Sequence, residues 1–244
     1  MPQNIQNELQ FFSKLSREPI YDRHLAERVI FLVGLKPNSL VLDAGCGGGY
    51  WGRAFAKSGH QVVGIDLSSE VISRASEKAV PGQSFLVGNL LEKLPFANKH
   101  FDCIICGGIL HHFPDKEDVN VVVHNLYNCL KHEGKIILVE PNGSNPVVCL
   151  SRQIGCFLVK LYPDISTENE TMHTVKTYIN ILKKNDFEIQ VVKSCRHVVG
   201  RIKKVHNLLD LLLFLRLFLL SFVWKHFPQS YRGNEVIIIA EKNS

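Results

Sequence analysis

From residue 20 onward, hydrophobic and polar positions follow two alternating rhythms. Residues 20–34 carry apolar side chains at helical spacing and end at Gly34 with Pro37 just beyond, which predicts a helix and its stop. Residues 40–43 form a short apolar run, 50–58 return to helical spacing, and 61–66 are apolar again. Ser68 or Ser69 offers an N-cap for a helix reaching about residue 79, where Pro81-Gly82 ends it. Strands are predicted over 84–88, 101–106, 135–140, 187–193 and 235–241, and helices over 117–131 and 171–184. Short continuous apolar strands separated by helices predict an α/β fold, with a mostly parallel sheet covered on both faces. Two longer segments, 142–170 and 195–232, interrupt the pattern. The chain therefore reads as one domain over 1–244 with two cap insertions.

Composition narrows the classes without choosing among them. At 244 residues, 45% hydrophobic and 21% charged, the chain fits one globular domain. A formal charge of +5 is too mild and too dispersed to predict a nucleic-acid partner. The opening MPQNIQNELQFF has neither a basic region nor an apolar core, so no signal peptide is expected. Seven cysteines are an odd count, several inside apolar strands, which predicts reduced thiols and a cytoplasmic setting. Cys103 and Cys106 form a C-x-x-C, but within an apolar strand and without a second ligand pair, so neither redox nor metal chemistry is expected there.

The chemistry begins at Asp43-Ala44-Gly45-Cys46-Gly47-Gly48-Gly49, directly after the first strand. Three successive glycines are costly unless the backbone needs positive φ or close approach to a ligand. Dinucleotide binders want G-x-G-x-x-G so that a pyrophosphate sits on the helix N-terminus. Here the sixth position is Tyr50 and the spacing is G-x-G-x-G, with Asp43 at the strand end. A carboxylate there would repel a pyrophosphate but suits an ammonium group. Asp66 ends the second strand about twenty residues later, where an acid can accept two ribose hydroxyls. A ribose with a cationic amino-acid tail and no phosphate is S-adenosylmethionine.

Five segments, "VLDAGCGGG", "VVGIDLS", "VGNLLEKLPF", "FDCIICGGILHHF" and "LKHEGKIILVEP", resemble in order and spacing the class I S-adenosylmethionine-dependent methyltransferases, in the group that includes quinone-biosynthesis enzymes. The resemblance covers residues 20–141 well and the remainder loosely. It implies a Rossmann-like, seven-stranded sheet with the last strand, Glu235–Glu241, antiparallel. It implies S-adenosyl-L-methionine as methyl donor, with Asp43 and Gly45 by its methionine end, Gly47 against its backbone, Asp66 on the ribose and Leu67 on the adenine. The family's usual Gly-Asp after the third strand is Gly88-Asn89 here, whose amide oxygen can still accept from the adenine amino group, while Leu90 would offer its N–H to the ring. Tyr21 and Phe12, at the helix that covers the cofactor in this family, are candidates for the methyl pocket, with ordinary packing as the alternative. Trp51 is expected to pack.

Methyl transfer needs an aligned nucleophile, exclusion of water and, for some acceptors, a base. Alignment alone can supply roughly 7–11 kcal/mol. His111 and His112, after the fourth strand, are the candidate bases, His111 the favoured one; capping or backbone bonding is the alternative. Neighbours on such a loop are expected to point to different sides. Related quinone O-methyltransferases read E-x-x-E-H here and hold a metal; Gly108, His111 and His112 lack both carboxylates, so no metal is expected.

The insertions should select the acceptor. From Leu208 to Trp224 the chain is nearly all Leu and Phe, broken by Asp210 and Arg216, with Arg201, Lys203 and Lys204 before it and Lys225 and His226 after. A buried cap helix, a dimer interface and a helix lying in the membrane surface all fit; a spanning helix fits less well. The expectation is O- or C-methylation of a small lipophilic or membrane-associated acceptor in the cytoplasm, with contact of 201–227 with the inner membrane face and with homodimers both open. The alternatives are a non-catalytic cofactor-binding protein on the same fold, methylation of a macromolecule, or a dinucleotide-dependent oxidoreductase.

Overall fold

The computed structural model describes residues 23–146, 148, 149, 171–195, 233 and 235–243. Its elements in chain order are α1 (Arg23–Val33), β1 (Leu40–Ala44), α2 (Tyr50–Lys57), β2 (Gln61–Asp66), α3 (Ser69–Glu77), β3 (Gln83–Val87) and β4 (Phe101–Gly107). A 3-10 turn at Leu110–His112 follows, then α4 (Lys116–Cys129), β5 (Leu130–Pro141), α5 (Val175–Lys184), β6 (Phe187–Cys195) and β7 (Glu235–Lys242).

The strands form one seven-stranded sheet in the order β3-β2-β1-β4-β5-β7-β6. β1 to β5 pair in parallel, and β7 inserts between β5 and β6, antiparallel to both. The antiparallel last strand agrees with the expectation from the sequence. Side chains alternate across the pleat, so each central strand serves two cores. On one face Leu42, Ile104, Ile136 and Ile238 meet α4 and α5 through Val122, Leu126, Tyr178 and Leu182. On the other, Val41, Ile105, Ile137 and Ile239 meet α1 and α2 through Val29, Trp51 and Phe55. Burial on both faces is why these strands read as continuous apolar runs.

Cys103 and Cys106 fall into opposite cores, as residues three apart on a strand must. Both are fully buried, and burial pushes both thiols up, which keeps them unreactive.

Several boundaries differ from the sequence reading. The fourth predicted helix stops at Cys129 rather than 131, and its strand begins at once at Leu130 rather than 135. The irregularity lies inside β5, where Glu133 takes φ 58 beside Gly134 and the pairing with β4 shifts between Phe101 and Cys103. The third strand and β6 shift by one or two residues, and α5 starts at Val175, capped by the Thr174 side chain accepting from Thr177 N. Ser68 is the N-cap of α3, accepting from Val71 N. Most of the insertions 142–170 and 195–232, Leu208–Trp224 included, lies outside the described residues. Among the described residues no helix is long and apolar enough to cross a membrane.

Candidate functional site

The carboxyl ends of β1, β2 and β4 meet at one edge of the sheet, and the glycine loop closes over it. Gly45 N and Cys46 N donate to Ile65 O at 2.8 and 3.0 Å, stitching the loop to the end of β2. Gly45 has φ +68, and a Cβ there would lie 2.4 Å from Ile109 Cγ1, so backbone and space both demand glycine. Gly47, at φ +49, has nothing within 4 Å of where its Cβ would stand, which leaves its surface open.

Two acids line this edge. Asp66 ends β2, with Oδ2 accepting from Gly47 N at 2.9 Å and Oδ1 from Ser68 N at 3.1 Å. Burial raises its pKa, while those N–H groups and the nearby His112 pull it back. Asp43 is 1% exposed, and its Oδ2 accepts from Gly52 N at 2.8 Å. Burial pushes its carboxyl up to about 7, and the charge of Asp66 adds to the rise. The pair forms an electron-rich pocket. Arg53, whose charge works against the rise at Asp43, directs Nη1 at Gly48 O at 2.6 Å. These acceptors fit a ligand carrying positive charge and a diol, and oppose a pyrophosphate.

Leu67 is half-buried just past Asp66. Asn89 folds back on its own turn: Oδ1 accepts from Leu91 N at 3.0 Å and Nδ2 donates to Glu92 Oε1 at 3.0 Å. A second lone pair on Oδ1 can still accept from a ligand. Leu90 is 5% exposed, its side chain in the core and its carbonyl accepting from Asn125 Nδ2. Tyr21 and Phe12 lie outside the described residues. Trp51 packs as expected: its Nε1 lies 2.0 Å from where a Cβ on Gly107 would stand, so only glycine fits beneath it.

The histidines are placed by the turn after β4. His111 is buried and His112 half-buried, and their rings lie against each other, centroids 4.2 Å apart at 37°. The expectation that they point to separate sides is not met, since the two rings lie against each other. His111 Nδ1 lies 2.8 Å from Oε2 of Glu140, at the end of β5. Glu140 is fully buried, and its other oxygen accepts from Ile109 N at 3.0 Å and Leu110 N at 2.8 Å. The same turn is tied to the segment before α5: Thr171 N donates to His111 O at 2.7 Å, and His173 Nε2 donates to Phe113 O at 2.8 Å. Among the described residues no three His, Cys, Asp or Glu side chains gather as metal ligands.

Glu140 is the residue that reading the sequence missed. Its signal was present, since "IILVE" ends an apolar strand in an acid as "LVLD" and "VVGID" do.

A family model described as a methyltransferase domain matches residues 41–134. A demethylmenaquinone methyltransferase of Bacillus cereus is 30% identical over 197 residues, covering 71% of this chain and 81% of that protein. A ubiquinone biosynthesis O-methyltransferase of Klebsiella pneumoniae is 29% identical over 196 residues, 78% of this chain and 74% of that one. A crystal structure of an S-adenosylmethionine-dependent methyltransferase from Archaeoglobus fulgidus superposes with a TM-score of 0.65 at 16% identity, over 99% of this chain and 100% of that one, and supports the fold. With the glycine loop, the acid pair and the sheet order already in place, these similarities make the chain a member of the class I S-adenosylmethionine-dependent methyltransferases.

Proposed function

We propose that the protein transfers the methyl group of S-adenosylmethionine to the oxygen or carbon of a small lipophilic acceptor, such as a quinone precursor, in the cytoplasm or at the inner membrane face. The observation that carries the cofactor half is the placement of Asp66: both its oxygens are oriented by backbone N–H groups beside the open surface of Gly47. When bound there, S-adenosylmethionine supplies an electrophilic methyl on a sulfonium cation. Asp66 then accepts the ribose hydroxyls, Gly45 and Gly47 let the chain approach closely, and Asp43 supplies negative charge near the amino-acid end. Leu67, Asn89 and Leu90 frame the adenine. His111 and His112 stand where a proton would leave.

The acceptor half rests on the quinone-enzyme names of the relatives and on the apolar stretch Leu208–Trp224 with its basic flanks. Calorimetric titration with S-adenosylhomocysteine tests the first half, and absence of binding at sub-millimolar concentration overturns it. Radiolabelled S-adenosylmethionine incubated with the protein and a cell extract tests the second. Label is expected in the organic-solvent fraction; label confined to protein or nucleic acid overturns the acceptor class.

A further inference from the structure

The buried carboxylate of Glu140 is spent in an unusual way. One oxygen receives the backbone N–H groups of Ile109 and Leu110, and the other faces the His111 ring at 2.8 Å. A fully buried carboxylate is tolerated only where its lone pairs are met and a positive partner stands close. The turn's N–H groups and the His111 ring bond to it, and the Tyr178 hydroxyl and Cys106 thiol feel its charge. Of these, only His111 can take a positive charge. The same two backbone bonds fix the turn that presses Ile109 onto Gly45, so the histidine and the glycine loop share one anchor.

We propose that Glu140 is a positioning residue for proton removal: it holds His111 with its hydrogen on Nδ1, which makes Nε2 the proton acceptor and a hydroxyl compound the methyl acceptor. This rests on the methyl-transfer reading given above. A carboxylate oxygen can only accept, so the facing Nδ1 carries hydrogen, and in the neutral ring Nε2 is then bare. An amine attacks through a lone pair it already has, whereas a hydroxyl is a weak nucleophile until its proton is taken. In the transfer, the acceptor's O–H proton passes to Nε2 while its oxygen forms the bond to the methyl carbon. The carbon–sulfur bond breaks with its electron pair staying on sulfur, and the imidazolium formed is paired with the Glu140 carboxylate. A methyl ether and a neutral thioether result, so charge and atoms balance.

The isosteric change Glu140→Gln separates this from a structural role. The amide has one accepting oxygen, and the Ile109 and Leu110 N–H groups hold it in place. Its NH₂ must then face His111, which forces Nδ1 bare and moves the hydrogen to Nε2. Two-bond nitrogen–proton NMR of ¹⁵N-histidine protein reads this directly, with the His111→Ala spectrum identifying the signals. The wild type should show hydrogen on Nδ1 and E140Q on Nε2, while both bind S-adenosylhomocysteine alike by calorimetry. With radiolabelled S-adenosylmethionine and a simple hydroquinone as probe, E140Q should transfer methyl about 10²–10⁴-fold more slowly at unchanged cofactor KM. An E140Q protein that keeps hydrogen on Nδ1, an E140Q protein that labels the hydroquinone at full rate, or a wild type that leaves it unlabelled overturns the proposal. Loss of S-adenosylhomocysteine binding by the wild type would instead overturn the cofactor reading.

Discussion

Asp66 shows how a single side chain is prepared before its ligand arrives. The Gly47 and Ser68 N–H groups hold its two oxygens, so no rotamer has to be frozen on binding. Asp66→Ala should weaken S-adenosylhomocysteine by on the order of 1–3 kcal/mol in calorimetry, because the ribose hydroxyls lose a charged acceptor. Unchanged affinity would place the ribose elsewhere. Gly45→Ala should do more harm than its size suggests, since it meets both a left-handed backbone and Ile109. On the order of 1–3 kcal/mol of strain is expected, read as a lowered denaturant midpoint together with weaker cofactor binding. Asp43, Asp66 and the glycines were legible in the sequence because each follows an apolar run locally. Glu140 carries the same signal, but its meaning depends on His111, 29 residues earlier, and no spacing rule joins those positions.

At the scale of elements, the junction from α4 into β5 is held from outside. The last carbonyls of a helix need donors beyond the helix itself. Lys242, from the end of β7 and 6% exposed, donates Nζ to Tyr127 O at 2.7 Å and Leu130 O at 3.0 Å, and sits 3.9 Å from the Tyr127 ring centre. Lys242→Met keeps the apolar stem and removes the donor, so a loss of about 1–3 kcal/mol is expected in urea unfolding, with cofactor affinity unchanged. No measurable loss would show that water replaces the lysine. This also explains why the helix end was misread by two residues: the cap comes from the far end of the chain rather than from Lys131-His132 nearby. The strands themselves were legible through burial on both faces. Their order was not, because the placing of β7 between β5 and β6 depends on pairings between segments far apart in sequence.

The whole molecule carries these local arrangements as a dependence on pH, and Asp43 gives it a distinctive sign. Its carboxyl titrates near 7 in the fold against 3.8 ordinarily, raised first by burial and then by Asp66. Because the folded value is raised, the stability it contributes is complete below pH 3.8 and is lost as the pH climbs through about 7. His60 acts in the opposite sense: burial lowers its pKa below 6.5, so its contribution is complete above 6.5 and falls away in more acidic solution. The two partly cancel in the wild type, which is why the comparison must be with Asp43→Asn. The asparagine oxygen can still accept from Gly52 N and never ionises. Between pH 5 and 8 about two units of the shift are traversed, so D43N should gain on the wild type by on the order of 2–3 kcal/mol, then no further. Denaturant midpoints across that range measure it, and a flat difference would mean that Asp43 is hydrated and titrates normally. Ligand should reverse the ranking. S-adenosylhomocysteine brings an ammonium group to the acid pair, so its binding to the wild type should expel the Asp43 proton below pH 7 and tighten as the pH rises to that point. D43N should bind it more weakly, with little pH dependence over the same range. Proton release in buffers of different ionisation enthalpy distinguishes the cases; wild-type binding without it would place the amino group away from Asp43.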